Sequence, residues 1–285
     1  MNTVSPFRYP GGKASMTGLL SKIRSLNSVG DTPIAEPFAG GAGASLSLLV
    51  TEAVSSIHIN DADPAIHAFW WSLKKHPEEL LRRLSSTRVS MAEWKRQRET
   101  YRTSSRTSRL DRGFAAFYLN RCNRSGIIVN GGPIGGVKQT GKWKLDARFN
   151  KSELRSRLER LVEYRDRIEV SADEGIDFVR QLSNEDVFFF IDPPYFEKGP
   201  LLYMNDLGPA YHRRLSQVLR AKQDKAWVLT YDDCEPIRRL YEPWASVRSF
   251  SLRYAAARRR MGREIMITPK WMQLPDAQNS EAVDW

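Results

Sequence analysis

The chain has 285 residues, of which 41% are hydrophobic, and a formal net charge of +11, so it is long enough for one large domain or two smaller ones. Its two cysteines and four histidines do not cluster, which argues against a zinc site, and we predict no bound metal. No stretch approaches the roughly 18 apolar residues of a membrane span and no apolar signal region begins the chain, so we expect a cytoplasmic protein without membrane contact.

The first part of the chain follows the order strand, glycine turn, helix, strand. A short strand over 33–38 leads into Ala39-Gly40-Gly41-Ala42-Gly43, a helix over 44–53 and a strand over 55–60 that ends at Asp61. Small residues let the backbone approach a ligand, the helix N-terminus offers unpaired N–H groups, and an acid after the second strand suits ribose hydroxyls. Because the turn is single and lacks the G-x-G-x-x-G spacing, it favours a mononucleoside-type cofactor such as S-adenosylmethionine over NAD.

The middle of the chain, from about 76 to 167, is basic and mostly helical. Between Arg82 and Arg167 there are 22 Lys and Arg against 8 Asp and Glu, a balance of +14, whereas the rest of the chain carries −3. This concentration is typical of a polyanion-binding module, and a merely Arg-rich solvated helical face is the alternative. Residues 121–148 mix glycine, basic and amide side chains, which indicates an exposed loop or hairpin that contacts phosphates or base edges; a structural connector is the alternative there. The helices that surround this loop are predicted over 77–87, 90–101, 109–120 and 151–165.

An α/β pattern resumes after the basic segment. Its central strand is the apolar run Val187-Phe188-Phe189-Phe190-Ile191, which reads as buried on both faces and ends in Asp192-Pro193-Pro194-Tyr195. Ligands of open α/β sheets bind beyond the carboxyl ends of such strands. The remaining elements are predicted as strands over 167–171, 226–231, 247–252 and 264–268, the last two forming a hairpin, and helices up to 182, over 208–222 and over 234–242.

Four motifs in this order resemble the Dam-type family of DNA adenine methyltransferases. Phe7 to Lys13 resembles the family's N-terminal GlyGlyLys motif, and Glu36 to Gly43 resembles its Phe-x-Gly-x-Gly cofactor motif. Asn60-Asp61 resembles its ribose-binding acid, and Asp192-Pro193-Pro194-Tyr195 is its catalytic motif as it stands. The resemblance covers nearly the whole chain.

Further segments match the family less closely. Tyr118 to Arg121 and Arg148 to Asn150 resemble the ends of its recognition hairpin, and Gly262-Arg263-Glu264 resembles its late hairpin. Ala42 stands where the cofactor motif has its second glycine. The hairpin core from Cys122 to Lys144 differs from the Dam pattern, so the target sequence of that family is not transferred.

The resemblance implies an α/β fold with a Rossmann-like methyltransferase sheet, helices on both faces, and an inserted basic, mostly helical target-recognition domain with a hairpin loop. The catalytic domain is expected over 1–75 and 168–274 and the recognition domain over 76–167. Residues 275–285 are expected to form a disordered tail. The implied reaction is site-specific methyl transfer from S-adenosylmethionine to the exocyclic 6-amino group of an adenine flipped out of duplex DNA.

The roles of individual residues follow from the motifs and from the basic loop. The amino group of adenine is a poor nucleophile, so Asp192 and the carbonyl of Pro193 are expected to accept its two hydrogens while Tyr195 stacks on the flipped base. The predicted catalytic residues are Asp192, Pro193, Pro194 and Tyr195. The resemblance implies cofactor contacts from Tyr9, Lys13, Glu36, Phe38, Gly40, Gly43, Asp61, Asp173 and Asp192. The predicted DNA contacts are Arg121, Asn123, Arg124 and Lys138.

Two other functions remain open at this stage, an RNA adenine methyltransferase and a catalytically silent DNA-binding protein of the same fold. The partner we expect is double-stranded DNA, and a cognate restriction endonuclease or another defence component is the kind of protein partner that the resemblance implies. We expect a monomer of prokaryotic or phage origin that serves restriction-modification, host defence or phage DNA modification.

Overall fold

The structure is a computed structural model that describes residues 4–8, 13–103, 107–196, 207–252, 262–275 and 283–284. Its centre is an eight-stranded sheet, whose strands are β1 (Ile34–Glu36), β2 (Ile57–Asn60), β3 (Ile168–Ser171), β4 (Phe188–Ile191), β5 (Trp227–Asp232), β6 (Ser246–Leu252), β7 (Gly262–Thr268) and β8 (Val283–Asp284). Their order is β3-β2-β1-β4-β5-β7-β6-β8. The pairs among β1 to β5 are parallel, and β7, β6 and β8 continue the sheet in antiparallel pairs.

The apolar run before Asp192 forms the middle of this sheet. All four residues of β4 are buried, and they alternate between two cores. Phe188 and Phe190 point into one core, and Phe189 and Ile191 into the other. A strand that is buried on both faces has no polar face, which explains why its sequence is continuously apolar rather than alternating.

Ten α-helices occur in the described residues, and their bounds are α1 (Thr17–Leu26), α2 (Gly43–Val50), α3 (Pro64–Lys75), α4 (Pro77–Ser86), α5 (Met91–Arg102), α6 (Arg109–Cys122), α7 (Lys151–Glu163), α8 (Gly175–Gln181), α9 (Pro209–Arg220) and α10 (Glu235–Tyr241). Helices α1, α2 and α3 contribute to the core on one face of the sheet, and α8, α9 and α10 to the core on the other. The predicted Rossmann-like sheet with helices on both faces is therefore confirmed. None of the helices in these ranges has the length and apolar character needed to cross a bilayer.

The basic segment carries helices α4 to α7 and shares a hydrophobic core with the sheet. Leu84, Phe117 and Leu158 belong to the same cluster of buried side chains as Ile57 and Phe188. Helix α6 packs so closely on α3 that a Cβ atom at Gly113 would lie only 2.4 Å from the backbone nitrogen of Phe69. Glycine at this position therefore allows the close contact. The domain boundaries near 76 and 167 remain predictions, but no break in the core accompanies them.

Three parts of the fold differ from the sequence-based expectation or add detail to it. Helix α3 follows Asp63, whose side chain accepts a hydrogen bond from the Ala65 N–H at 2.8 Å, and no helix was predicted there. The predicted late hairpin forms, but β7 lies beside β5 and β6 lies outside it. The tail predicted as disordered over 275–285 contains β8, which pairs with β6, while 276–282 and 285 lie outside the described residues.

Candidate active site

The predicted site residues meet at the carboxyl ends of β1, β2, β3 and β4. In the sheet, β2 and β3 lie on one side of β1, and β4 and β5 lie on its other side. The strand order therefore reverses between β1 and β4. The crevice at such a reversal of strand order is where open α/β sheets bind ligands. The acids that follow β2, β3 and β4 are Asp61, Asp173 and Asp192.

The glycine turn after β1 is tied to Asp61. The Gly40 N–H donates to Asp61 Oδ2 at 2.8 Å, and the Asp63 N–H donates to Oδ1 at 2.9 Å. Gly40 and Ala42 both have a φ of 47°, in the left-handed region that favours glycine. The turn keeps its tight shape although Ala42 replaces the glycine of the family motif.

Asn60 joins three strand ends into one frame. Its side-chain N–H groups donate to the carbonyl oxygens of Pro37 and Asp173, both at 2.9 Å. Its Oδ1 accepts from the Ser171 hydroxyl and the Asp173 N–H, both at 2.8 Å. Because the side chain is completely buried, these bonds fix the turns after β1 and β3 relative to β2.

Glu36, the last residue of β1, lies beneath the glycine turn. Its Oε1 accepts from the Ser45 N–H at 2.9 Å and from the Ser45 hydroxyl, so it satisfies a free N–H at the start of α2. Burial raises the pKa of Glu36 to about 7. The same cause, together with the charge of Asp63, raises the pKa of Asp61 to about 7.

Phe38 forms an apolar wall with Tyr211 beside the start of α8. A Cβ atom at Gly175 would lie 2.4 Å from the Phe38 ring, so glycine is required for the ring to pack there. The Phe38 ring meets the Tyr211 ring edge-on at a centroid distance of 6.4 Å. Glu174 holds this wall, because its Oε1 accepts from the Tyr211 hydroxyl and from the Ile176 N–H.

Asp192 is held through one of its two carboxylate oxygens. Oδ1 accepts from the Thr230 hydroxyl at 2.6 Å and lies 3.4 Å from Lys13 Nζ. Burial raises the pKa of Asp192, while Lys13 and Thr230 oppose that change. Both of these side-chain contacts between Asp192 and described residues are made at Oδ1.

Lys13 connects Asp192 to Tyr195 and Glu264. Lys13 Nζ donates to Glu264 Oε2 at 2.9 Å and to the Tyr195 hydroxyl, and that hydroxyl donates to Glu264 Oε1 at 2.7 Å. Burial alone would lower the pKa of Lys13, but the charges of Asp192 and Glu264 outweigh it and raise the pKa. Lys13 is therefore a buried ammonium shared between two carboxylates.

The structure brings most of the predicted cofactor and catalytic residues together. Asp61, Asp173, Asp192 and the turn from Gly40 to Gly43 lie at the carboxyl ends of adjoining strands, with Glu36 beneath the turn and Lys13 and Tyr195 beside Asp192. Pro193 is buried and Pro194 is half-buried. Tyr9 lies outside the described residues. The role of each residue remains a prediction.

Two of the four predicted DNA-binding side chains lie inside the protein. Arg121 Nε donates to the carbonyl of Arg148 at 2.7 Å, and Asn123 accepts from Trp94 Nε1 at 2.7 Å while donating to the carbonyl of Ile127. Asn123 thus closes the base of the loop, where it also pairs with Pro133. Neither side chain is presented to solvent, which differs from the expectation of direct DNA contact. Arg124 and Lys138 are exposed.

The loop over 134–145 presents apolar and basic side chains together. Val137 and Trp143 are 67% and 66% exposed, and Lys142 Nζ lies 5.8 Å from the Trp143 ring centroid. Gln139 braces the loop from inside, because its side chain donates to the carbonyls of Ile134 and Gly136 and accepts from the Leu145 N–H. Exposed aromatic and cationic groups on a braced loop suit contact with a polyanion that also has stacking surfaces.

Sequence reasoning missed Thr230 and Glu264 as site residues. Both are polar residues buried within strands of the sheet, β5 (Trp227–Asp232) and β7 (Gly262–Thr268). A polar side chain in such a position needs a partner, and that requirement is the signal that could have identified them. The partners, Asp192 and Lys13, are too distant in sequence for local patterns to indicate.

Comparisons with known proteins identify a family and solved structures with a similar fold. A sequence model of the family described as D12 class N6 adenine-specific DNA methyltransferase matches residues 9–261. An rRNA methyltransferase, AviRa from Streptomyces viridochromogenes, superposes with a TM-score of 0.37 and 14% identity, over 91% of this chain and 86% of that chain. A search of curated proteins finds no match. The matched range includes the glycine turn, Asp61 and the loop over 192–195, called the Asp192 loop below. Because the family match spans most of the chain, the protein belongs to the D12 class of N6 adenine-specific DNA methyltransferases.

Proposed function

We propose that the crevice binds S-adenosylmethionine and that the Asp192 loop presents to it an adenine flipped out of duplex DNA. The observation that carries this proposal is the fixed carboxylate of Asp192, held through Oδ1 at the end of β4 beside the turn that Asp61 organises. The family match supports methyl transfer to the 6-amino group of adenine.

The acids of the crevice fit a cationic cofactor. Glu36 and Asp61 accept their described hydrogen bonds from neutral N–H and O–H groups, and the pKa of each is raised to about 7. Carboxylates without a compensating cation favour a ligand that brings positive charge. When bound, S-adenosylmethionine supplies an electrophilic methyl group on a sulfonium. Asp61 is suited to bind its ribose hydroxyls, and Phe38 offers an aromatic face to its adenine.

The Asp192 loop would activate the target amino group. Asp192 Oδ2 and the Pro193 carbonyl supply two acceptors for the two amino hydrogens, which favours localisation of the nitrogen lone pair and stabilises its developing positive charge. Pro193 and Pro194 fix the backbone φ angle around these acceptors. Tyr195 supplies a stacking face that is worth about 1–3 kcal/mol and partly offsets the cost of flipping the base.

The decisive experiment is methyl incorporation into unmethylated duplex DNA by the wild type and Asp192→Ala. We expect methylated adenine with the wild type and none with Asp192→Ala, while DNA binding and thermal stability stay near wild type. Asp224→Asn removes an exposed acid far from the crevice and should retain full activity. Turnover by Asp192→Ala would contradict the mechanism, and incorporation into RNA in preference to DNA would favour the RNA alternative.

The exposed side of the loop over 121–148, called the recognition loop below, supplies the proposed DNA contact. Arg124→Ala and Lys138→Ala should each weaken DNA binding. Each should also reduce the slope of log binding constant against log salt concentration by about one unit, because each removes one proposed phosphate contact. Arg121→Ala and Asn123→Ala should act differently, lowering the melting temperature because they support the loop from inside. Lys270→Ala is the matched control, since Lys270 is exposed beyond the end of β7 that lies opposite the site.

The biological setting that fits this activity is DNA modification in a prokaryote or phage, with a cognate nuclease as the kind of partner such enzymes serve. Modification-dependent sequencing of DNA from cells that express the protein should reveal methylated adenine in one short sequence context. Methylation without any sequence preference would contradict the site-specific function.

A further inference from the structure

We infer that Glu264 is a positioning residue that holds Tyr195 and Lys13 in the arrangement that the Asp192 loop needs. This inference rests on the function proposed for that loop. It assigns a role to a strand residue outside the Asp192-Pro193-Pro194-Tyr195 motif, on the far side of β5 from β4.

Glu264 is almost completely buried and uses both of its carboxylate oxygens. Oε1 accepts from the Tyr195 hydroxyl at 2.7 Å, and Oε2 accepts from Lys13 Nζ at 2.9 Å. The Tyr195 hydroxyl also accepts from Lys13, so the three groups close a ring of hydrogen bonds. Each group comes from a different part of the chain, and both partners of Glu264 belong to the proposed site.

The first consequence concerns the Tyr195 ring. A phenol whose oxygen both donates to Glu264 and accepts from Lys13 cannot rotate away without breaking two charge-assisted bonds. Lys13 Nζ also lies 5.0 Å from the centroid of that ring. The ring that would stack on a flipped adenine is thus held in place before the base arrives, and such preorganisation is what positioning contributes to rate.

The second consequence concerns Asp192. Lys13 Nζ lies 2.9 Å from Glu264 but 3.4 Å from Asp192, so the ammonium sits closer to the residue outside the proposed catalytic motif. Without the Glu264 charge, the Lys13 ammonium would pair with Asp192 alone. That pairing would make the Asp192 carboxylate a weaker acceptor of the amino hydrogens. Glu264 therefore keeps the Asp192 carboxylate available for the base.

The interpretation as an ordinary structural ion pair explains less. A buried pair stabilises a fold weakly because the desolvation of both charges offsets their attraction. The Lys13–Glu264 pair also carries a third bonded group, the hydroxyl of the proposed stacking residue. An arrangement that connects a buried charge pair to a site residue is expected where the geometry of that residue matters.

The test compares the wild type, Glu264→Gln, Tyr195→Phe and the double variant, all as the full chain. Methyl incorporation is measured with unmethylated plasmid duplex DNA and isotope-labelled S-adenosylmethionine, and calorimetry gives the affinity for S-adenosylmethionine. Glu52→Gln is the matched control, because Glu52 pairs with Arg167 at 2.7 Å on the surface away from the crevice. Thermal melting verifies that each variant folds.

We expect Glu264→Gln to lower kcat by about 10- to 100-fold while the affinity for S-adenosylmethionine stays within about twofold of wild type. The combined loss in the double variant should be smaller than the product of the two single losses, because Glu264 acts in part through the Tyr195 hydroxyl. The acidic limb of the rate–pH profile should move to lower pH in Glu264→Gln, since Lys13 then acts on Asp192 alone. Glu52→Gln should match the wild type in every measurement.

Any of three results would overturn the inference. They are a wild-type kcat in Glu264→Gln, a kcat loss in the double variant equal to the product of the two single losses, and an acidic limb of the rate–pH profile that does not move in Glu264→Gln. If Glu264→Gln does not fold, Tyr195→Phe decides, because it retains the Lys13–Glu264 pair and must still lower kcat without weakening S-adenosylmethionine binding. Turnover by Asp192→Ala would instead overturn the proposed function. Full activity of Glu264→Gln beside an inactive Asp192→Ala would overturn only the role of Glu264.

Discussion

At the scale of single residues, the Thr230 hydroxyl fixes one carboxylate oxygen of Asp192. Thr230 is completely buried on β5, and its hydroxyl donates to Oδ1 at 2.6 Å. A hydrogen bond to a charged group is worth about 1.5–3 kcal/mol. The loss of this bond would let the carboxylate turn within the site without changing any group that touches the substrate.

We expect Thr230→Val to lower the single-turnover rate of methyl transfer by about tenfold, which corresponds to about 1.4 kcal/mol. The affinity for S-adenosylmethionine should change little. Thr268→Val is the control, because Thr268 is equally buried on β7 and its hydroxyl has no partner among the described residues. A normal rate in Thr230→Val would show that the hydroxyl does not orient Asp192.

Glu36 should make the stability of the ligand-free protein depend on pH. Its pKa is raised by burial from 4.5 to about 7, so between these values the folded state binds a proton that the unfolded state releases. Stability therefore falls as pH rises through this range, by on the order of 3 kcal/mol for this one group. Asp61 should act in the same direction.

Urea denaturation at pH 5 and pH 8 tests this expectation. Glu36→Gln retains an acceptor for Ser45 but cannot titrate, so the difference in unfolding free energy between the two pH values should shrink relative to wild type. An unchanged difference would mean that Glu36 ionises normally in the folded protein.

At the scale of elements, helix α5 connects the recognition loop to the crevice. Near its start, Trp94 donates to Asn123 at the base of the loop at 2.7 Å. Two turns later, on the same face, the Tyr101 hydroxyl donates to Asp63 Oδ2 at 3.1 Å, and the Asp63 N–H donates to Asp61. One helix of the basic segment therefore supports both the proposed DNA contact and the acid proposed to bind ribose.

We expect Tyr101→Phe to weaken S-adenosylmethionine binding by about two- to tenfold, since one hydrogen bond behind Asp61 is lost. Calorimetry with and without duplex DNA measures this effect. Tyr164→Phe, which removes a half-exposed phenol at the end of α7, should bind like the wild type. Equal affinity in Tyr101→Phe and wild type would contradict the support that α5 gives to Asp61.

The elements were predictable where the signal is local. The strand β4 and the turn from Gly40 to Gly43 are each determined by a few adjacent residues, and both form as predicted. Asn123 was assigned to DNA because it lies in a basic loop, but Trp94, 29 residues earlier, holds it inside. Glu264 lies 251 residues from Lys13, so its role depends on a strand pairing that the sequence does not reveal locally.

At the scale of the whole molecule, the shared core predicts that the basic segment and the sheet unfold together. Gly113 lies at the contact of α6 with α3, and an added Cβ would lie 2.4 Å from the Phe69 nitrogen. Overpacking of this kind costs about 1–3 kcal/mol, which lowers the melting temperature of a protein this size by about 2–4 °C per kcal/mol.

We therefore expect Gly113→Ala to melt in one transition at a lower temperature than wild type, as measured by calorimetry. Gly18→Ala is the matched control, because nothing lies within 4 Å of a Cβ atom on this exposed glycine of α1, and it should be neutral or slightly stabilising. Two separate transitions in Gly113→Ala would show that the basic segment folds as an independent domain.

The hydrogen-bonded ring of Lys13, Tyr195 and Glu264 also sets the order in which activity can appear during synthesis. The residue that closes the ring lies on β7, which leaves the ribosome after the glycine turn, the basic segment and the Asp192 loop are complete. A nascent chain that ends at 252 would contain Gly40, Asp61 and Asp192 and yet lack the Glu264 carboxylate. Such a chain should engage DNA through its recognition loop before methyl transfer reaches its full rate, because the full rate requires β7 to be in place.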